Sequence, residues 1–199
     1  MSVTIDHEPL AAEELGFRTV GQVLAHLQRD NRLVTNLLVD GEEPDLDRIG
    51  ILRQSPLTGH TLFIETADPR QMALAVLDEV GQQLREADRL KHDAVDLLQR
   101  DRAFNAMEKL SGWFGAWQMG QESILKISQL LRIDLDLVHV DGRPLRELLD
   151  DFTDQLRQIK SALEDRDFVT LSDTLTYEAT QTSTQWRAAL AAVREVVEN

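Results

Sequence analysis

Residues 68–98 read DPRQMALAVLDEVGQQLREADRLKHDAVDLL, and their pattern decides the fold. Asp68 followed by Pro69 is a helix start, because the aspartate accepts from free first-turn amides while proline fixes φ at the first helical position. Ala73, Leu77, Val80, Leu84, Ala87, Ala94 and Leu98 then recur at spacings of three, four or seven, the period of one helical face. The expectation is one long helix from about Asp68 to Asp101. A second is expected from about Ala103 to Arg132. A third runs from Leu145 to Glu164, with Leu145, Leu149, Phe152, Leu156, Ile159 and Leu163 on one face. A fourth runs from about Phe168 to Glu198, carrying Phe168, Leu171, Leu175, Ala179, Trp186, Leu190, Val193 and Val197. Short polar links join the first to the second and the third to the fourth, so each pair is expected to be antiparallel. Together they predict an antiparallel four-helix bundle over 68–199. Asp134 to Pro144, between the second and third, reads as an extended strap containing Asp141-Gly142.

Ahead of Asp68 the pattern changes to short β-branched segments, turns and one short helix, a small α+β domain over 1–67. Val3 to Ile5 reads as an edge strand. Thr19 caps a helix whose Val20, Val23, Leu24 and Leu27 share a face. Arg32 to Val39 reads as a strand ending in the turn pair Asp40-Gly41, and Thr61 to Thr66 reads as another. This order of strand, helix, strand, turn and strand resembles the β-grasp, ubiquitin-like arrangement, in order of elements and without a shared motif. The fold class expected is α+β: a β-grasp-like head followed by a helical bundle, predominantly α overall.

A chain of 199 residues with 42% hydrophobic and 28% charged residues belongs among globular proteins able to bury a core without staples. Absence of cysteine excludes disulfides, cysteine-ligated metal and cysteine nucleophiles. The net charge of -14 disfavours nucleic acid and anionic membranes, both of which need local cationic excess. The stretch MSVTIDHEPLAAEEL lacks a basic start and an apolar run of the secretory kind, so a cytoplasmic location is expected.

Catalytic spacings are sparse. None of His7, His26, His60, His92 and His139 falls in H-E-x-x-H or follows a glutamate by three positions. Asp136 and His139 have an i, i+3 spacing in the strap, and Asp88, His92 and Asp96 share a helix face that reads as solvated surface. Phosphate-cradling glycine patterns and G-x-S-x-G are absent. The hydroxyls of Thr174, Thr176, Thr180, Thr182, Ser183 and Thr184 read as the polar side of a helix rather than a ligand-facing one. The acids Glu42, Glu43, Asp45 and Asp47 lack the order of a calcium loop. No catalytic residue, metal or cofactor is therefore assigned.

The second helix holds Ser111 to Gly120, SGWFGAWQMG, rich in both aromatics and glycine. Each interior glycine costs about 0.5–1 kcal/mol relative to alanine, so close packing must compensate. Met107, Leu110, Phe114, Trp117, Ile124 and Leu131 form the expected bundle seam. Gly112, Ala116, Met119, Ser123, Ile127 and Leu130 form a second, small-residue stripe read as lying opposite, and these six are the candidate partner-binding residues. Trp113-Phe114-Gly115 is similar to the W-x-G element of small secreted helical hairpins over three residues, but sits inside a helix and carries no function over. A helix apolar on two sides needs cover from the head, from the strap, or from another protein molecule, most simply a second subunit in a homodimer. The function expected is non-enzymatic protein–protein interaction, as an acidic chaperone or adaptor covering an apolar segment of a partner. The alternatives are a carboxylate-bundle metal enzyme and a small-ligand sensor with a pocket between head and bundle.

Overall fold

A computed structural model describes residues 2–100, 102–165 and 167–199, without side-chain placement for Leu46, Leu163, Phe168, Ser172, Glu178, Ala179 and Thr180. The expected helix end at Asp101 and the face positions Leu163, Phe168 and Ala179 lie outside what is described. The chain is mostly helical, with a small mixed sheet near its N-terminus. It divides into two compact units, Met1–Met72 and Ala73–Asn199.

In the first unit, β1 (Ser2–Ile5) turns back into the two-residue β2 (Glu8–Pro9). Asp6 and His7 make that turn with φ of 49° and 67°, a conformation glycine usually occupies. Asp6 is held there by its own carboxylate, which accepts from the Thr66 N–H at 2.7 Å, from the Thr66 hydroxyl at 2.8 Å, and from Arg32. These donors, Thr66 foremost and then Arg32, hold the Asp6 carboxyl below its ordinary range.

Helix α1 (Val20–Arg29) buries Val20, Val23 and Leu27, and the Gln22 side chain accepts from the Thr19 N–H at its start. Strand β3 (Leu33–Val39) ends in Asp40-Gly41, both at positive φ. A short helix α2 (Ile49–Gln54), not anticipated from the sequence, precedes β4 (Thr61–Ala67). The sheet order is β2-β1-β4-β3, with β1 parallel to β4 and β3 antiparallel to it. Alternation along β4 sends Leu62 and Ile64 into a core with Val3, Ile5, Val23, Leu27 and Leu57.

Helix α3 (Pro69–Gln99) starts as its Asp68-Pro69 pair requires, with Asp68 accepting from the Arg70 N–H at 2.8 Å. Helix α4 (Ala103–Leu131) ends at Arg132, whose φ of 56° closes a left-handed cap. The expected strap is a turn followed by a two-stranded hairpin, β5 (His139–Val140) and β6 (Arg143–Pro144), around Asp141-Gly142. Helix α5 (Leu145–Glu164) follows. The last segment is helical from Phe168 to Glu198, as expected, but not uniformly so: α6 (Phe168–Asp173) runs through a wide π turn (Thr174–Glu178) directly into α7 (Ala179–Glu198). The aromatic centre of this unit joins Trp117 to Phe152 of α5 at 4.9 Å and to Trp186 of α7 at 5.5 Å between ring centroids.

Candidate functional site

The site is built on α4. Its buried positions are Ala106, Leu110, Trp113, Trp117, Gly120, Ile124 and Ile127, a single seam stepping by four and three. The expected seam is correct at Leu110, Trp117 and Ile124. It is wrong at Met107, which is exposed; Phe114 and Leu131 are half-buried and pack against its margin, and Trp113 and Gly120 take central places.

The candidate partner-binding stripe is unevenly exposed. Ile127 is 4% exposed and belongs to the buried seam, Ala116 and Ser123 are half-buried, and Met119 is 50% exposed. Leu130 is exposed, as is Gly112. At about 100° per residue the stripe lies roughly a quarter-turn from the seam rather than opposite it. Part of that flank meets α3. A Cβ at Gly112 would stand 3.0 Å from the Leu90 side chain, and one at Gly120, on the seam itself, 3.4 Å from Val80. As α4 runs from 112 to 120, its neighbours on α3 run from 90 to 80, so the two helices are antiparallel. The glycines give close approach to a neighbour in the same unit, while Gly112, Met119 and Leu130 of the stripe stay exposed.

The other flank of α4 carries the larger exposed side chains near the helix start. Phe104 is 89% exposed, Met107 is exposed and Phe114 half-buried, at spacings of three and seven. Between this flank and α5 runs a groove of about 460 Å³. Met107, Leu110, Phe114 and Leu156 supply its apolar surface; Ser111, Gln118 and Thr153 are neutral and polar; Arg157 and Lys160 bring two cations. Among the described residues no carboxylate lines it, in a chain with 35 acidic residues. Arg157 pairs with Asp154 at 2.7 Å and Lys160 with Glu164 at 3.8 Å, exposed pairs within one helix that contribute little and exchange readily. Sequence reading missed this flank because Met107 and Phe114 were assigned to the seam.

The candidate chemical positions are otherwise engaged. Asp88 accepts from the Ser183 hydroxyl at 2.6 Å and from Arg187, and His92 Nδ1 lies 2.6 Å from the Asp88 carbonyl. Asp136 pairs with Arg146, and His139 Nδ1 is 3.0 Å from the Leu137 carbonyl. Among the described residues no three His, Asp or Glu side chains gather as a metal-binding group, and no helix is long and apolar enough to cross a membrane. Lys91 was also missed. It is 2% exposed on the α3 seam, 3.9 Å from Asp88, and its amine is pushed below its ordinary range by burial first, with Asp88 opposing and Arg187 adding to the shift. The period itself carried the signal, because the gap between Ala87 and Ala94 falls on residue 91.

Residues 76–189, all within the second unit, match the model of a family described as Domain of unknown function (DUF8042). No curated protein and no solved structure matches the chain.

Proposed function

The chain belongs to that family of unknown function, and we propose that it is a cytoplasmic, non-enzymatic interaction protein, an acidic chaperone or adaptor. A β-grasp-like head is joined to an antiparallel four-helix bundle, and an apolar helix of a partner protein lies along the α4–α5 groove. The parallel β1–β4 pair at the centre of the sheet and the α3–α4, α4–α5 and α4–α7 contacts support these two architectures. The observation that carries the functional reading is the pair of exposed side chains Phe104 and Met107 with half-buried Phe114, beside a groove that no carboxylate lines among the described residues.

Each large apolar side chain removed from water there contributes about 1.5–3 kcal/mol. Several together offset the ~4–15 kcal/mol lost in association. The two cations select a helix with carboxylates on its flanks, since lysines there would face Arg157 and Lys160. A labelled amphipathic helical peptide with glutamate flanks should therefore bind the full chain at least about tenfold more tightly than its lysine-flanked counterpart. Arg157→Glu with Lys160→Glu should remove that preference. Equal binding of both peptides, or of neither, would sink the reading.

A second copy of the chain is the second reading. Phe104 and the groove lie on the same helix, so one two-fold contact could place each Phe104 in the other's groove. Sedimentation velocity distinguishes them: a concentration-dependent dimer abolished by Phe104→Glu supports the second copy, and a monomer at all concentrations leaves the partner helix.

A further inference from the structure

The sheet of the first unit has two edges of unequal kind. On one side β2 is two residues long and contains Pro9; on the other, β3 is seven residues long. The backbone direction along β3 follows from its end. Asp40 donates its N–H to the Thr61 carbonyl at 2.8 Å, so residue 40 points inward to β4. Val39 points outward, where it exchanges bonds of 2.9 and 3.1 Å with Glu42. Alternation then turns the N–H and C=O of Leu37 outward as well. Among the described residues they meet no backbone partner, because the outer pairing stops at Val39 and Glu42.

Beside this free edge runs a groove of about 530 Å³, with Leu24 of α1 on one side and Ile49 and Arg53 of α2 on the other; Glu43 is its one acidic lining residue among those described, against the two cations Arg32 and Arg53. Its far wall is fixed by Gly21. A Cβ there would stand 2.6 Å from the Arg53 carbonyl oxygen, so only glycine lets α2 lie this close to α1. The Arg53 side chain is exposed and pairs with no carboxylate among the described residues, whereas Arg32, the groove's other cation, is occupied by Asp6.

We infer that the edge of β3 is a second binding site, one that accepts a short extended segment of another polypeptide, added as a strand with an apolar residue over Leu24 and a carboxylate against Arg53. Unpaired main-chain groups on an edge are matched by another extended backbone about 4.8 Å away, which a helix or a compact ligand does not supply. The register shift between Val34 and Asn36 limits the ladder to a few residues. It also disfavours a second copy of β3, since edge-to-edge pairing of two copies needs a long flat edge and a bulge bends it away. The site lies wholly in the first unit and does not rest on the α4–α5 groove.

The test uses the full chain and a capped peptide of alternating valine and threonine ending in two glutamates. Binding is followed by fluorescence anisotropy and by backbone amide shifts. Saturable binding is expected, with the largest shifts at Thr35 to Leu37. N-methylation of alternate residues, in whichever of the two registers removes the pairing donors, should weaken binding at least about tenfold. Arg53→Glu, an exposed change that leaves the melting temperature in place, should weaken it about fivefold, as should ending the peptide in lysines. No saturable binding, full binding by both methylated registers, or shifts confined to residues away from β3 would overturn the inference. So would a concentration-dependent dimer that the peptide dissolves.

Discussion

Asp6 shows how one side chain can hold a backbone turn that its residue type does not favour. Its carboxyl is held below the ordinary value of 3.8 by Thr66 and Arg32. That contribution to stability is present above the unfolded-state pKa and is lost as the pH falls through the lower folded-state value. Asp6→Asn should therefore melt below the wild-type chain at neutral pH, and the gap should narrow as the pH falls below the ordinary carboxylate range. Parallel thermal scans across that range check it. Lys91 behaves in the opposite sense. Because its amine is pushed down, the charged form is disfavoured in the folded chain, and that cost is present below the folded-state pKa and relieved as the pH rises through it. Replacing the lysine by an apolar chain of similar length, Lys91→Met, should leave stability unchanged or raise it by about 1 kcal/mol. Asp88→Ala should cost about 3 kcal/mol, since it leaves Lys91 and Arg187 without their shared carboxylate. Chemical denaturation of both variants measures the difference.

At the level of elements, helix faces were legible wherever one period dominated. Leu145, Leu149, Phe152 and Ile159 are buried on α5, as their spacing requires. The Asp68 cap and the Asp40-Gly41 turn also follow from local chemistry. Helix α4 was harder, because apolar residues surround it and a step of 3.6 assigns Phe114 and Trp113 almost equally well to a seam. Packing decided between them, and packing is not written in the spacing of one helix. The widening at Thr174–Glu178 was hidden for a related reason: its residues keep a helical pattern, while the π turn is a matter of which carbonyl each amide meets.

The glycines of α4 turn the same distinction into a measurement. Gly115 has open space where a Cβ would go, Gly120 has Val80 at ordinary contact, and Gly112 has the Leu90 tip at 3.0 Å. Gly115→Ala should stabilise the chain by about 0.5–1 kcal/mol through helix propensity. Gly120→Ala should gain less, and Gly112→Ala least. A reversed order in urea melts would mean that α3 and α4 do not approach as described.

For the whole molecule, charge decides more than any single pair. A net charge of -14 leaves the surface repelling itself, so added salt should raise the melting temperature even though it weakens the exposed ion pairs. Composition raises the expectation that partners with a dense negative backbone are disfavoured. It could not show where cations gather, because Arg157 and Lys160 face one groove only after α4 and α5 have packed.

The placement of the chromophores gives the molecule an unequal optical signature. Trp113, Trp117 and Trp186, all the tryptophans, and Tyr177, the single tyrosine, lie after residue 72, so the first unit emits almost nothing under ultraviolet excitation. A melt followed by indole emission therefore tracks the helical unit alone, while far-ultraviolet dichroism sees both. Superimposable curves from the two probes would mean that the units unfold together, and separated curves would time the loss of each.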